Sequence, residues 1–267
     1  MPTKTHSEYL FEEYLRNQAI DFVYEEELPG RRKRPDYKVE KQGKRHWFEV
    51  KELLDPETMP TGGFDPTPPY EEKIDRAREQ FREFKEDCCV LVLHGCTSIF
   101  RRPMVHEIVS AAFGEFLVVE PAAGQTAFDE PLRFKCSGKA KLRPDANTTI
   151  SAVIILQHFQ LDTRWVEAFY RIRERMSRAE EVGPFAYAEE VGSMKNCEGG
   201  VEFENTVRAV ILENPHARIH LPNDLLHGPL DQRWGNKDSS DWYTLISIGS
   251  ELERLRSRPR PVPYLFI

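Results

Sequence analysis

Apolar and polar positions follow two different periods in the first 95 residues of the chain. Residues 7–20 carry apolar side chains on one side at a period of about 3.6, which predicts an amphipathic helix. Residues 21–28 alternate apolar and polar positions, as a half-buried strand does. Two strands are predicted next, at about 36–41 and 45–51, and their junction at Gln42-Gly43 indicates a tight hairpin.

A proline-rich loop, residues 53–70, separates the hairpin from a charged helix predicted over 71–87. A loop of this length without regular structure is usually functional or mobile. The buried stripe of the helix is expected to consist of four apolar side chains, Ile74, Ala77, Phe81 and Phe84. Residues 88–95, CCVLVLHG, are apolar enough to predict an interior strand covered on both faces.

The second half of the chain is less regular. Its patterns predict a helix over 105–116, a strand at 150–156 and a basic amphipathic helix over 164–176. Two further apolar runs, 206–215 and 217–222, end at proline, and the second of them favours a strand. The sequence contains no internal repeat and no clear linker. We therefore expect an α/β core in residues 1–95 and a C-terminal elaboration, 96–267, that packs on or extends the same domain.

Composition narrows the class of protein. Hydrophobic residues make up 40% of the chain, so a folded globule is expected. The formal net charge of −7 argues against a protein that coats nucleic acid by bulk electrostatics, but it leaves room for a local basic groove around RRKR, residues 31–34, and the helix over 70–84. The chain has no apolar run of membrane-spanning length and no apolar signal core at its start, and its five cysteines form no paired framework. A cytoplasmic protein without a membrane partner is expected.

Three charged residues lie where the predicted hairpin begins and where it finishes. Glu49 and Lys51 lie two residues apart on one strand, so their side chains point to the same face while Val50 points to the other. Asp36 begins the partner strand, and in an antiparallel hairpin the start of the first strand lies beside the end of the second. The three side chains are therefore expected to converge at one end of the sheet.

Such a trio suits the hydrolysis of a phosphodiester. Two carboxylates can hold Mg²⁺, a hard cation that prefers oxygen ligands, and the cation activates water and neutralises charge on the phosphate. A lysine beside it can orient the attacking water and offset the charge that develops on phosphorus. The opposite interpretation is an ordinary charged surface hairpin, since 30% of the chain is charged.

Pro35-Asp36 and Glu49-Val50-Lys51, together with the order of predicted elements, resemble the PD-(D/E)xK phosphodiesterase superfamily. The resemblance covers about the first 95 residues. It implies a restriction-endonuclease-like core, a mixed central β-sheet flanked by helices. It also implies that Asp36, Glu49 and the main-chain carbonyl of Val50 bind Mg²⁺, with Mn²⁺ as a substitute, and that Lys51 positions the water.

Other members of the superfamily supply a further acid from the first helix, and here Glu8 borders the buried stripe of that helix. Glu8 also fits a capping box with Thr5, in which it only satisfies a main-chain donor, so both roles stay open. Gln80 occupies the place of a glutamine that contacts the lysine and DNA in the exonuclease branch, although Phe84 stands where that branch has tyrosine. Lys73 and Arg34 complete the candidate substrate-binding residues, with solvated charge as the alternative for Lys73.

The expected function is thus a Mg²⁺-dependent nuclease, acting on DNA rather than RNA and leaving 5′-phosphate ends. Double-strand cleavage needs two active sites or two binding events, so a homodimer is one expectation. The alternative is a catalytically idle nuclease-fold module that binds nucleic acid or a protein partner. His216 and His220 have helical ligand spacing, but the segment that contains both, residues 216–222, predicts a strand that would hold them too far apart to share a metal. Pro144-Asp145 is expected to form a turn.

Overall fold

The computed structural model of the protein describes residues 4–30, 33–53, 67–95, 105–118, 133–137, 140–162, 171, 175, 202–236 and 242–250. Three α-helices lie in this part of the chain: α1 (His6–Asn17), α2 (Pro68–Gln80) and α3 (Val105–Phe113). The strands in the same part are β1 (Val23–Tyr24), β2 (Tyr37–Lys41), β3 (Lys44–Leu53), β4 (Cys88–Gly95), β5 (Glu115–Val118), β6 (Arg133–Ser137), β7 (Ile150–Asp162), β8 (Glu202–Glu213), β9 (Gln232–Gly235) and β10 (Trp242–Ile248).

The described strands form one mixed sheet in the order β1-β2-β3-β4-β7-β8-β9-β10-β6-β5. β2 and β3 are antiparallel, whereas β3, β4 and β7 run parallel. The outer strands β9, β10, β6 and β5 pair in antiparallel fashion. The protein is therefore an α/β protein with a mixed sheet, as the sequence predicts.

The hairpin of β2 and β3 has the predicted turn. Gln42 and Gly43 take φ angles of +54° and +73°, a conformation with two successive positive φ values that matches the right-handed twist of the flanking strands. Glycine adopts this conformation without strain, which explains its place in the second position. The turn sets a register in which Lys41 pairs with Lys44 and Tyr37 pairs with Phe48.

Helices cover both faces of the hairpin. Trp47 packs its ring against Phe84, at 4.9 Å between centroids, whereas the next residue, Phe48, lies 5.2 Å from Phe11 of α1. Successive side chains of a strand point to opposite faces, so α1 covers one face of β3 and the segment after α2 covers the other. The same alternation places Glu49 and Lys51 on the face of Trp47.

The second helix and the strand after it match their predicted burial. The expected stripe of α2 and its continuation is buried, with Ile74, Ala77 and Phe81 at 0% exposure and Phe84 at 1%. The helix differs from the predicted span of 71–87: it begins at Pro68 and ends at Gln80, a short 3₁₀ helix, Phe81–Glu83, follows, and residues 84–87 are not helical. β4 is buried along its whole length up to its last residue, because β3 and β7 flank it in the sheet.

The chain divides into two compact units, Met1–Gln157 with Arg208–Glu253 and Ile267, and His158–Val207 with Arg254–Phe266. The candidate site residues all belong to the first unit. Its sheet contains strands from both sides of residue 95, and the division there into core and elaboration stays a prediction.

Several predicted elements differ in the structure. The strand expected over 21–28 contains only Val23–Tyr24, because Glu25 takes a positive φ of +45° and turns the chain away from the extended form. The helix expected over 105–116 ends at Phe113, where Gly114 has a φ of +89°. The strand expected over 217–222 is irregular, and its carbonyls of Leu221 and Pro222 accept hydrogen bonds from Arg233.

Other predictions hold. The strand predicted at 150–156 is part of β7, and Arg143 and Ala146 bridge the turn at Pro144-Asp145. The run over 206–215, whose pattern left helix and strand open, lies largely in β8. The helix predicted over 164–176 lies outside the described residues except for 171 and 175. Within the described ranges, no helix is both long and apolar enough to cross a membrane.

Candidate metal centre

The hairpin register brings the two predicted acids together. Tyr37 pairs with Phe48, and extending that register by one residue places Asp36 opposite Glu49. Side chains of directly opposed residues lie on the same face of an antiparallel pair. The two carboxylates therefore share one face at the end of β2, which is the arrangement that the sequence predicts.

Val50 and Lys51 complete the hairpin end of the site. The main-chain N–H of Val50 donates to Asp36 Oδ2 at 2.7 Å. Because the N–H and C=O groups of one strand residue point to the same side, the Val50 carbonyl also points to the side of Asp36. Lys51 Nζ forms an ion pair with Glu49 Oε1. All four predicted groups of the hairpin thus lie at one end of β3.

Burial makes this pair of acids electrostatically costly. Burial raises the pKa of Asp36 to about 7, and the charge of Glu49 contributes to this rise, while Lys51 and the Val50 N–H oppose it. Burial also raises the pKa of Glu49, while Lys51 and the main-chain N–H of Asp36 oppose the rise. Among the described residues, Lys51 is the ammonium group that forms an ion pair with this pair of acids, so without a further cation the site retains a proton near neutral pH.

One carboxylate oxygen of the pair has no hydrogen-bond partner in the part of the chain that the structure describes. Glu49 is 3% exposed, and this oxygen, Oε2, is buried. A buried carboxylate oxygen is normally satisfied, since leaving it unsatisfied costs about 1–3 kcal/mol or more. A hard divalent cation would satisfy Oε2 and neutralise the excess charge, so the donor set of Asp36, Glu49 and the Val50 carbonyl fits Mg²⁺.

This donor set is small. Within the described residues, no group of three or more His, Cys, Asp or Glu side chains is placed to hold a metal ion. The two carboxylates and one carbonyl would therefore leave several coordination positions to water and substrate. Mg²⁺ commonly binds in this way, through one or two carboxylates plus water and phosphate oxygens.

Glu8 combines the two roles that its sequence leaves open. The capping box is present: Thr5 Oγ1 accepts from the Glu8 N–H at 3.3 Å, and the Thr5 N–H donates to Glu8 Oε2 at 2.5 Å. The second oxygen, Oε1, accepts from the Tyr24 hydroxyl at 3.2 Å. Glu8 also adds to the effect of burial in raising the pKa values of Asp36 and Glu49, so its carboxylate lies within electrostatic reach of both.

The neighbouring acids of α1 are elsewhere. Glu12, the nearest alternative to Glu8, forms ion pairs with Lys4 and Arg16 and accepts from the Tyr37 hydroxyl at 3.2 Å. Glu13 is exposed. Glu8 is therefore the acid of α1 whose charge contributes to the raised pKa values of Asp36 and Glu49.

The predicted substrate-binding residues occupy two different places. Burial lowers the pKa of Lys73, and the positive charges of Arg76 and Lys51 lower it further against nearby acids, so Lys73 lies within electrostatic reach of Lys51. Gln80 instead donates from Nε2 to the main-chain carbonyl of Arg34, so it holds the chain just before Asp36 rather than Lys51. The Arg34 side chain is exposed.

The basic groove expected around α2 is less basic than its arginines suggest. Arg76 pairs with Glu72, and Arg78 lies 3.6 Å from Glu79, so neighbouring acids offset both charges. Within the described residues of α2, four acids accompany three bases, as Glu71, Glu72, Asp75 and Glu79 with Lys73, Arg76 and Arg78. Lys73 differs from the two arginines because no ion pair joins it to another described residue.

Tyr24 and Glu25 are two residues of the site that the sequence does not indicate. The Tyr24 hydroxyl donates to Glu8, and the Glu25 N–H donates to the main-chain carbonyl of Asp36 at 2.8 Å. The alternation over 21–28 indicates a half-buried strand, but it does not identify a partner for either residue.

No protein-family model, curated protein or solved structure matches this chain. The interpretation of the site depends on its geometry and chemistry alone.

Proposed function

We propose that the protein is a metal-dependent nuclease that hydrolyses phosphodiester bonds in DNA and leaves 5′-phosphate ends. In this proposal the hairpin and its flanking helices correspond to a restriction-endonuclease-like core, and the protein acts in the cytoplasm. The bound cation is Mg²⁺, with Mn²⁺ as a substitute.

One observation carries the proposal. The register and the Val50 N–H hold Asp36 beside Glu49, with the ammonium group of Lys51 paired to Glu49, and the buried Oε2 of Glu49 has no donor among the described residues. If the charges of the hairpin were merely solvated, Glu49 would not be only 3% exposed beside a second acid, with one of its carboxylate oxygens unsatisfied. Such a pair is stabilised by a cation.

The chemistry assigns a task to each group. Asp36, Glu49 and the Val50 carbonyl would hold the cation, which would supply Lewis-acid activation of water and charge neutralisation at the phosphate. Lys51 Nζ has two further N–H donors beside the one directed at Glu49, and these can orient the attacking water and the non-bridging phosphate oxygen. The Val50 N–H fixes the orientation of the Asp36 carboxylate, so Asp36 would bind the cation without reorganisation.

The environment of Lys73 suits the binding of an anionic substrate. It is half-buried, and burial together with the charges of Arg76 and Lys51 lowers its pKa against the opposing charges of nearby acids. No ion pair joins it to another described residue. A phosphate oxygen near Lys51 and Lys73 would compensate both charges. The local positive charge for DNA would then come from these lysines and the exposed Arg34, rather than from the arginines of α2.

The test is cleavage of linear DNA, closed-circular DNA and RNA in Mn²⁺ by wild type and Lys51→Ala. We expect the variant to lose at least about a hundredfold in rate, as the removal of one charge-stabilising donor typically does. Lys44→Ala is the matched control, since Lys44 is an exposed lysine on the same strand, and this variant should cleave at the wild-type rate.

Urea denaturation of both variants separates lost chemistry from lost folding. Equal cleavage by wild type and Lys51→Ala would refute the assignment. Cation binding by a wild type that cleaves none of the three substrates would instead favour the idle nuclease-fold module.

A further inference from the structure

We infer that Tyr24 is a positioning residue of the metal centre, which acts by holding the carboxylate of Glu8. Its phenolic hydroxyl donates to Glu8 Oε1 at 3.2 Å, and Glu8 is 8% exposed. This inference rests on the proposed function, because the effect of Glu8 is exerted on the acids that would bind the cation.

Tyr24 is itself fixed by three contacts. It pairs with Tyr37 across β1 and β2, and the two rings lie 5.1 Å apart. Lys4 Nζ lies 4.2 Å above the Tyr24 ring. Burial and the nearby charges of Glu8 and Glu25 raise the pKa of Tyr24, so the phenol keeps its proton and remains a hydrogen-bond donor.

The carboxylate of Glu8 is consequently held at both oxygens. The Thr5 N–H donates to Oε2 at 2.5 Å, while Tyr24 donates to Oε1. With both oxygens engaged, Glu8 acts on the site as a fixed negative charge and through water rather than as a direct ligand. A charge fixed in this way contributes to cation affinity only as long as its orientation is maintained.

The strand β1 and the residue after it contact both Glu8 and Asp36. The side chain of Tyr24 holds Glu8 of α1, and the main-chain N–H of the next residue, Glu25, donates to the carbonyl of Asp36 at 2.8 Å. Two consecutive residues thus set the position of Glu8 relative to Asp36. This explains how a strand of two residues contributes to the site.

The test is a double-mutant cycle with Tyr24→Phe, Glu8→Gln and the double variant, with Mn²⁺ affinity measured by calorimetry. The phenylalanine keeps the ring contacts and removes only the hydroxyl. We expect Mn²⁺ to bind roughly tenfold more weakly to Tyr24→Phe, as the loss of an outer partner of a metal site typically causes. In the Glu8→Gln background the same substitution should change the affinity little, because the partner is no longer a carboxylate.

Tyr37→Phe is the matched control. It removes a hydroxyl that donates to the main-chain carbonyl of Glu8 and to Glu12, but not to the Glu8 carboxylate. It should leave the Mn²⁺ affinity at the wild-type value even where it lowers the urea midpoint.

Three results would overturn the inference. Wild-type affinity in Tyr24→Phe, or equal effects of Tyr24→Phe with and without Glu8, would overturn it while leaving the proposed function intact. A wild type that does not bind Mn²⁺ would overturn the proposed function and this inference with it.

Discussion

Replacing Asp36 by asparagine should stabilise the metal-free protein. Asparagine has the same shape, and its side-chain carbonyl oxygen can still accept the Val50 N–H that Asp36 Oδ2 accepts at 2.7 Å. The substitution therefore removes the charge without removing the hydrogen bond. Because Glu49 then has no ionised neighbour in the hairpin other than Lys51, the repulsion between the two hairpin acids disappears.

The magnitude follows from the pKa of Asp36, which burial and Glu49 raise from 3.8 to about 7. At about 1.4 kcal/mol per pH unit, ionisation of Asp36 in the folded protein costs at most roughly 4 kcal/mol. Relaxation of the site and sharing of the proton with Glu49 reduce the gain expected in the variant to roughly 1–3 kcal/mol.

The sign of the pH dependence is defined by the raised pKa. The folded protein holds the Asp36 proton more tightly than the unfolded chain, so this contribution to stability is complete below the unfolded value of 3.8 and is lost as pH rises through about 7. The asparagine of the variant cannot titrate, so the advantage of Asp36→Asn should be clearly smaller at about pH 5 than above about pH 8, where it is largest.

Urea denaturation in a chelating buffer at the two pH values measures this difference. Glu40→Gln is the control, since Glu40 is an exposed acid on the same strand. Addition of Mn²⁺ should then reverse the order. Wild type gains about 2.7 kcal/mol at a cation concentration roughly one hundred times the dissociation constant, whereas Asp36→Asn gains little. A variant that is less stable than wild type at high pH and still binds Mn²⁺ would refute the reasoning.

Two further predictions concern the substrate and the fold. Lys73→Ala should weaken DNA binding about equally for all sequences and lower the slope of log affinity against log salt concentration by about one. Titrations at several salt concentrations measure this slope, with the exposed Lys85→Ala as the control. An unchanged slope would place Lys73 away from DNA. Asp231→Ala should lower the free energy of unfolding by roughly 3 kcal/mol or more, because the Tyr14 hydroxyl and two main-chain N–H groups donate to this carboxylate; a loss below about 1 kcal/mol in urea denaturation would contradict it.

Local patterns were sufficient for the hairpin and its acids. Turn chemistry at Gln42-Gly43 and the alternation of side chains depend on neighbouring residues, so they define the register without knowledge of the rest of the molecule. The register alone places Asp36 opposite Glu49 and puts Lys51 on the same face. The apolar run of β4 likewise indicated an interior strand, because a strand flanked by others on both edges and covered on both faces has no polar side.

Patterns failed where the outcome depends on distant residues. The strand over 21–28 has the predicted alternation of exposure, yet only Val23–Tyr24 pairs with β2, since Glu25 turns to donate its N–H to Asp36. The apolar run over 217–222 is similar: its carbonyls serve Arg233 instead of a neighbouring strand. In both segments a long-range hydrogen bond outweighs a weak local preference.

The α/β class, the hairpin register and the convergence of two acids and a lysine could all be read from the order of amino acids, because they follow from periodicity and turn geometry over a few residues. Three features could not be read in this way: the Tyr24 hydroxyl donates to Glu8, Gln80 donates to the Arg34 carbonyl, and Glu49 Oε2 has no donor among the described residues. These features involve residues far apart in the chain, and they depend on how α1 and α2 pack on the two faces of the sheet.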